Sequence, residues 1–324
     1  RSSEGITWDY QKKDLASDLL RVYGIQSDLI PNRVNTFSHQ GSVTALAAEV
    51  TGLRAGVPVS YRAGDQSNNA FSLNVLNPGE LATTAGTSGV IYGVVDRPIA
   101  DPQTRVNTFV HVNHTPQQNR LGVMLCVNGT GILNRWLRNT IAHAGETQGY
   151  AEMNALASQV AIGSDGLTML PFGNGAERVL QNRQIGSSLH GLDFNRHTVA
   201  HLCRAAQEGI VFSLGYGFEI LNQLGIQSSV IRAGYANMFL SDVFSDIFTQ
   251  LTNTELQLYN TDGAEGAARG AGVGIGYYKT PGEAFLNLTC IKTYQPEASR
   301  RAAYQEAYHR WKEILENQLI KISQ

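Results

Sequence analysis

The sequence is short of charge, of cysteine and of any long apolar run. Only 16% of its 324 residues are Asp, Glu, Lys or Arg, below the usual ~25%. Lys plus Arg (25) nearly balance Asp plus Glu (27), and basic residues gather no further than pairs such as Lys12-Lys13. That leaves no electrostatic footprint for nucleic acid or for an anionic membrane surface. No stretch approaches the ~18 uninterrupted apolar residues of a spanning helix. The opening Arg1-Ser2-Ser3-Glu4-Gly5 has neither the apolar core of a signal peptide nor an initiator Met. The chain is therefore read as soluble, with an N-terminus that is not the native one. The three cysteines, Cys126, Cys203 and Cys290, are too few and too scattered for a disulfide framework. They fit free thiols in a reducing compartment, so a cytoplasmic location is expected.

What is present describes a packed protein of about two domains on a prior of ~150 residues each. Hydrophobic residues make up 42% of the chain, and its 33 glycines exceed the usual ~7%, which favours close backbone approaches. Along the chain, Leu15, Leu19, Leu20 and Val22 before Gly24 predict a first amphipathic helix over Asp9–Tyr23. Ser42 reads as the cap of a second helix over 43–50, and Val57–Tyr61 as a short strand that places Asp65 just past its end. Leu81–Ala85, the turn Gly86-Thr87-Ser88-Gly89 and Val90–Val95 predict a hairpin, and Leu121–Val127 a third strand. Gly129-Thr130-Gly131 opens a helix, and a Gly-rich, polar stretch runs from Ile162 to Gly191. Helices over Thr198–Leu224, Asn237–Leu251, Ala264–Tyr278 and Ala298–Ile320 alternate with strands at Ser228–Arg232 and Glu255–Tyr259. No repeat of solenoid period appears. The order predicts an α/β protein with a mixed sheet and ligands at strand ends. Residues 1–79 hold too little for a sheet of their own, so they are read as the C-terminal piece of a preceding lobe and 80–324 as a second lobe.

Gly86-Thr87-Ser88-Gly89 offers backbone N–H groups, two hydroxyls and no bulky side chain, which is what a loop must present to phosphate. Taken alone, an ordinary Gly-rich hairpin turn is the favoured reading. Asp65 in Gly64-Asp65-Gln66 reads equally as the N-cap of a helix starting near Gln66. His197 and His201 stand at helical spacing but lack the intervening glutamate and a third ligand of a zinc site, so no metal centre is assigned. Cys126 and Cys203 read as core residues rather than nucleophiles.

Taken together, the segments Ala63-Gly64-Asp65-Gln66, Ala85-Gly86-Thr87-Ser88-Gly89, Gly191-Leu192 leading to His197-Thr198 and Glu208-Gly209, and Glu265-Gly266-Ala267-Ala268-Arg269-Gly270-Ala271 resemble the C-terminal part of the FGGY carbohydrate kinases. The likeness begins near Trp8 and includes Thr51-Gly52-Leu53, Gly56 and Pro58. It implies a ribonuclease-H-like lobe of the actin and hexokinase type, with 1–79 ending a sugar-binding lobe and 80–324 forming a nucleotide-binding one. It further implies ATP with Mg2+ as cofactors and a small sugar, D-xylulose in the nearest branch, as substrate. By resemblance Asp65 is the general base and Gln66 lies by the sugar. Gly86, Thr87 and Ser88 meet the phosphates, and Gly131, Gly234 and Asn237 line the nucleotide. A homodimer is among the states left open.

Two departures stand out. Arg232-Ala233-Gly234 replaces a run of three glycines, and the family's Gly-Glu-Arg-Thr-Pro appears as Gly175-Ala176-Glu177-Arg178-Val179, to which no role is assigned. A catalytically inactive binding relative is the alternative reading. An actin-like ATPase fits the Gly86 hairpin but not the Gly64-Asp65-Gln66 and Glu265 to Ala271 segments.

Overall fold

The computed structural model describes residues 3–5, 7–141 and 149–322. Near the start, β1 (Trp8–Asp9) and β2 (Asp14–Leu15) form a small ladder before α1 (Ser17–Val22), α2 (Ala45–Thr51) and α3 (Asp65–Ser72). The strands β3 (Leu81–Ala85), β4 (Gly89–Val95), β5 (Asn107–Val110) and β6 (Leu121–Val127) follow, then α4 (Gly131–Ile141) and α5 (Tyr150–Ser158). A hairpin of β7 (Thr168–Phe172) and β8 (Gly186–His190) leads to α6 (Val199–Gln223), β9 (Val230–Gly234), α7 (Asp242–Thr252) and β10 (Glu255–Tyr259). The chain closes with α8 (Gly263–Gly274), β11 (Cys290–Tyr294) and α9 (Ala298–Ile322).

Seven strands form the central sheet in the order β11-β10-β9-β3-β4-β6-β5. β3, β4, β6 and β5 pair antiparallel in turn, β9 lies parallel to β3 and to β10, and β11 closes the far edge antiparallel. The predicted mixed sheet is what the chain builds. These directions bring the ends of β3, β6, β9 and β10 and the start of β4 to one edge, where four loops meet. Both faces of the sheet are covered. On one, α6 and α7 pack their apolar residues against strand residues such as Ile91, Leu125 and Ile231, and α9 lies behind them against α6, α7 and β7. On the other, Ala70, Leu73 and Val75 from α3 and its exit meet Ala82, Val90, Tyr92 and Val94. The last helix buries Ala307, Trp311, Leu315 and Leu319 along one stripe, and the Trp311 Nε1–H donates to the Met169 carbonyl at 3.0 Å. Among the described residues no helix is long and apolar enough to cross a membrane.

Several local expectations need correction. The helix predicted over Asp9–Tyr23 forms only at Ser17–Val22, because Asp9 Oδ1 accepts the Gln11 and Lys12 N–H groups and Lys13 takes a left-handed φ of 55°. The second helix is capped by Thr44, whose Oγ1 accepts the Ala47 N–H, rather than by Ser42. Val57–Tyr61 is extended but makes only isolated bridges, Ser42 to Pro58 and Phe37 to Tyr61. Pro58 has no N–H to donate to a ladder. Asp65 is therefore the first residue of a helix with Gly64 as its cap, not a residue past a strand. The Gly-rich stretch 162–191 contains the unpredicted β7–β8 hairpin. The helix expected from Asn237 starts properly only at Asp242, after a 3-10 turn and a cap by Ser241.

The glycine-rich helix α8 shows why Gly recurs every fourth residue. Gly266, Gly270 and Gly274 share one face, and a Cβ there would lie 2.8 Å from the Ser72 Cβ, 2.6 Å from the Tyr61 ring and 2.0 Å from the Ser60 carbonyl oxygen, respectively. This face lets α8 lie against α3 and the segment before it. Gly274→Ala gains ~1 kcal/mol of helix propensity but drives a methyl into backbone, so a net loss of ~1–3 kcal/mol is expected by chemical denaturation. Hydrogen exchange should show the loosening in residues 60–72. A variant as stable as the parent would mean the seam is not tight.

Candidate active site

The turn between β3 and β4 stands at the loop-bearing edge of the sheet, and α4 starts directly against it. The Gly131 N–H donates to the Gly86 carbonyl at 2.9 Å and the Ile132 N–H to the Thr87 carbonyl at 3.2 Å. A Cβ on Gly131 would lie 2.3 Å from that Gly86 oxygen, so only glycine fits. With its carbonyls tied to α4, the turn keeps its own donors: no backbone hydrogen bond among the described residues uses the Gly86, Thr87 or Ser88 N–H. Asn237 sits across from it in the left-handed region, φ 54°, with its Nδ2 3.9 Å from where a Gly86 Cβ would be.

Two clefts meet at this turn. The larger, about 770 Å³, is lined by Gly131 and Asn134 of α4, Tyr150 and Asn154 of α5, and Met238 and Asp242 beyond β9. The smaller, about 250 Å³, reaches Gln66 and Asn69 of α3, Ser88, Gly234 and Asp262. Ala85, Gly86, Thr87 and Asn237 border both. The sequence-based candidates thus converge: Gly86, Thr87 and Asn237 at the junction, Gly131 on one side, Gln66, Ser88 and Gly234 on the other. Asp65 adjoins Gln66 at the α3 N-terminus, where the helix dipole favours a carboxylate. Gly234 is glycine for a neighbour's sake, since a Cβ there would lie 2.6 Å from the Thr261 carbonyl oxygen.

Hydrogen bonds orient Asp65. Its Oδ1 accepts the Gln66 N–H at 2.8 Å and its Oδ2 the Gln66 Nε2–H at 3.3 Å, while Gln66 Oε1 accepts from Thr84 Oγ1 at 3.4 Å. The helix carrying it is bracketed to α8. Asn68 Nδ2 donates to the Gly263 carbonyl at 2.7 Å, and Arg269 Nη1 donates to the Ser72 carbonyl at 3.0 Å and to Thr261 Oγ1 at 2.6 Å.

Sequence reasoning left several residues of the site without a role. Glu177 is fully buried, and its carboxylate accepts the Asn128 and Gly129 N–H groups at 2.9 and 3.1 Å, which fixes the loop entering α4. Burial pushes its carboxyl up to about 7, against the opposing pull of those two bonds. The Gly175 to Val179 segment was the available signal. Asp242 at the rim of the larger cleft pairs with Lys292 at 2.6 Å and accepts from the Tyr294 hydroxyl at 2.8 Å. Lys292's hydrogen bond holds its carboxyl below the usual range. Both partners arrive on β11, which sequence reasoning did not identify. Beneath the cleft a buried chain runs from Ser241 Oγ to Gln207 Oε1 at 2.8 Å and from Gln207 Nε2 to Asn154 Oδ1 at 3.0 Å.

The two histidines serve the α6 N-terminus. His201 Nδ1 meets the Thr198 N–H at 3.2 Å and its Nε2 faces Asp165 Oδ2 at 3.1 Å, while His197 Nδ1 accepts the Asp193 N–H at 2.9 Å. Among the described residues no three His, Cys, Asp or Glu side chains gather as a metal cage. Burial pushes the Cys203 thiol up to about 11 and raises that of Cys126, as suits inert thiols.

A mixed sheet with helices on both faces, and at its loop-bearing edge a glycine-pinned turn bordered by two clefts, define an α/β lobe with a candidate ligand site. The chain belongs to the FGGY family of carbohydrate kinases: residues 81–273 match the family's C-terminal domain. A xylulose kinase of Haemophilus influenzae is 28% identical over 293 residues, covering 88% of this chain and 56% of that protein. A gluconokinase of Bacillus subtilis is likewise 28% identical, over 288 residues, covering 86% of this chain and 52% of that protein. The chain thus spans little more than half the length of these relatives. The crystal structure of a xylulose kinase from Rhodospirillum rubrum superposes with a TM-score of 0.84 at 24% identity, covering 100% of this chain and 64% of the other. The architecture is accordingly the mixed α/β fold that this structure also has.

Glu177 carries a pH signature. Its carboxyl stabilises the fold relative to an ordinary glutamate only while both states are protonated, below about 4.5, and that advantage is lost as pH rises to about 7. Across that window the parent should lose ~3 kcal/mol of unfolding free energy relative to Glu177→Gln. Denaturant melts at several pH values measure the difference, and a constant gap between the two proteins would show that the Glu177 carboxyl titrates normally.

Proposed function

We propose that this chain forms the nucleotide-binding part and the catalytic base of an ATP-dependent kinase that phosphorylates a sugar or sugar alcohol. The carrying observation is the junction of two clefts at one phosphate-competent turn: the smaller cleft reaches Gln66 next to Asp65, the larger extends past Gly131, and both share Gly86, Thr87 and Asn237. A nucleotide along the larger cleft would bring its terminal phosphate to the turn, within the space that also admits the acceptor hydroxyl. Gly86, bare toward the clefts apart from Asn237, suits a phosphate approaching backbone N–H groups.

In this reading the sugar hydroxyl oxygen bonds to the γ-phosphorus as the bond to the β-phosphate oxygen breaks, ADP leaves, and the hydroxyl proton passes to Asp65. Gln66 and Thr84 hold the carboxylate in place, and Thr87 and Ser88 offer hydroxyl donors to the phosphates. Mg2+ bound with ATP would neutralise phosphate charge. Mg2+ is held largely by waters and substrate phosphates and asks few ligands of the protein.

Residues 1–79 are read as the C-terminal piece of the sugar-binding lobe and 80–324 as the nucleotide-binding lobe. Supporting this, large apolar side chains of the first segment are exposed, Val22 79%, Leu46 71% and Val50 81%, as suits contact with more of such a lobe. D-xylulose is the proposed sugar, on the likeness to xylulose kinases. Gluconate is the competing substrate to assay beside it.

In the complete protein Asp65→Asn should lower kcat for sugar phosphorylation by at least ~10²-fold and leave nucleotide affinity nearly unchanged, as measured by coupled ADP release and calorimetry. Turnover within ~10-fold of the parent would remove Asp65 from the role of base.

Thr87→Val should weaken ATP binding by ~3- to 10-fold through loss of one hydroxyl donor and spare sugar binding. The reverse pattern in titrations with each ligand would move the phosphates away from this turn.

A further inference from the structure

One side of α5 forms a wall of the larger cleft. Tyr150, Asn154 and Ser158 recur there at every fourth residue, and all three line it. Asn154 differs from other polar side chains of the cleft, such as Arg135 and Asn237, in that buried groups fix which end of its amide faces outward. The order starts at the cap of α7. Ser241 Oγ accepts the Phe244 N–H at 3.3 Å, so the single proton of that hydroxyl needs an acceptor, and Gln207 Oε1 takes it at 2.8 Å. With its oxygen committed, Gln207 donates from Nε2 to Asn154 Oδ1 at 3.0 Å. Ser241 and Gln207 are each 1% exposed, so both bonds are made out of reach of bulk water. The Asn154 oxygen thus belongs to the protein. Its Nδ2 does not: Asn154 is partly exposed, and this nitrogen has no hydrogen-bond partner among the described residues yet keeps accessible surface. The wall at Asn154 is therefore set to offer a donor.

We propose that Asn154 is a specificity-determining residue of the larger cleft, donating from Nδ2 to an acceptor atom on the nucleoside half of a bound nucleotide, and that Gln207 is the positioning residue that holds the amide in that sense. The inference rests on the nucleotide reading given above. In that reading the phosphates sit at the Gly86 turn, which borders both clefts, whereas α5 borders only the larger of the two. The nucleoside is the part that extends to α5. Tyr150, one turn before Asn154, has the Arg138 guanidinium over its ring at 4.7 Å and is 41% exposed. A flat aromatic surface beside a fixed donor suits a base. Purine ring nitrogens and ribose oxygens share the acceptor chemistry, and the test separates them.

The test is calorimetric titration of the 324-residue chain with ADP, with its 1-deaza, 3-deaza and 7-deaza forms, in which one ring nitrogen becomes C–H, and with the 2′-deoxy and 3′-deoxy forms. The parent is compared with Asn154→Asp, which keeps the acceptor that Gln207 needs and removes the donor, with Asn154→Ala, and with Gln207→Met, a change of similar volume. The readout is the affinity ratio of ADP to each analogue, which does not depend on the folded fraction. The parent should prefer ADP by ~3- to 10-fold over the analogue lacking the recognised acceptor. In both Asn154 variants that ratio should fall to near unity, and in Gln207→Met it should fall by ~2-fold or more, because the amide is then free to turn. A preference over a deaza form assigns the base, and one over a deoxy form assigns the ribose. If the parent binds ADP with every ratio near unity, or keeps its preference in the Asn154 variants, Asn154 has no such role while the nucleotide site stands. A ratio unchanged in Gln207→Met removes Gln207 from the positioning role. If the parent binds no nucleotide, the nucleotide reading of the cleft fails and takes this inference with it.

Discussion

The site depends on backbones that approach so closely that no side chain can stand between them. Gly131 lies over the Gly86 carbonyl, a Cβ on Gly129 would meet the Pro171 oxygen at 1.7 Å, and one on Gly89 would meet Thr130 Oγ1 at 2.7 Å. Glycine loses more conformational freedom on folding than any other residue, ~0.5–1 kcal/mol each relative to alanine. Here that cost is tolerated because the contacts draw two loops of one sheet edge together and seat the second against β7. Glu177 completes the arrangement from below, its two oxygens taking consecutive N–H groups of the loop that enters α4. The Gly86 turn is consequently held by its carbonyls, and its N–H groups make no backbone hydrogen bond among the described residues.

A second seam sets where Asp65 stands relative to that wall. Helix α3 comes from a segment 195 residues before the residue it bonds, as the Asn68 to Gly263 contact shows. The α8 glycines supply the surface on which α3 lies, and Arg269 clamps the end of α3 at the Ser72 carbonyl while also bonding Thr261 at the end of the β10 loop. One guanidinium thus ties the aspartate's helix to the same sheet edge that bears the turn. The Glu265 to Ala271 segment serves as a bracket between the two halves of the site, and Arg269 is paired with Glu265 at 2.8 Å on its exposed side. Where proton acceptor and phosphate must be in line, such a bracket matters as much as the residues it positions.

Much of the fold was legible in the chain because its elements are strongly periodic. The β3–β4 hairpin, β6, β10 and the long helices α6 and α9 fall within a residue or two of where apolar spacing places them. What was illegible shares a physical cause. β8 reads Gly-Ser-Ser-Leu-His, with no alternation, and is a strand only because β7 pairs with it from Thr168 to Phe172. β11 is largely exposed and sits on the sheet edge, where no apolar face needs to be inscribed. The helix expected over Asp9–Tyr23 yields to local bonds from Asp9, a competition that spacing alone does not register. Pro58 explains the missing strand before Asp65.

The candidate site was legible as a set of short motifs, since a phosphate-facing turn must be small and rich in donors, and a proton acceptor needs a carboxylate. The resemblance carried by those motifs, not residue type alone, is what grouped Asp65, Gln66, Gly86, Thr87, Ser88, Gly131, Gly234 and Asn237. Only the tertiary structure decided that they converge, that Gly234 is small for the sake of Thr261, and that Glu177 and Arg269 hold the loops in place. It also decided which side of α4 faces the core and which lines the larger cleft, a matter set by partners that lie far away in the chain. Motifs record the chemistry of single segments, whereas burial and hydrogen-bond pairing arise between segments and exist only once they are packed.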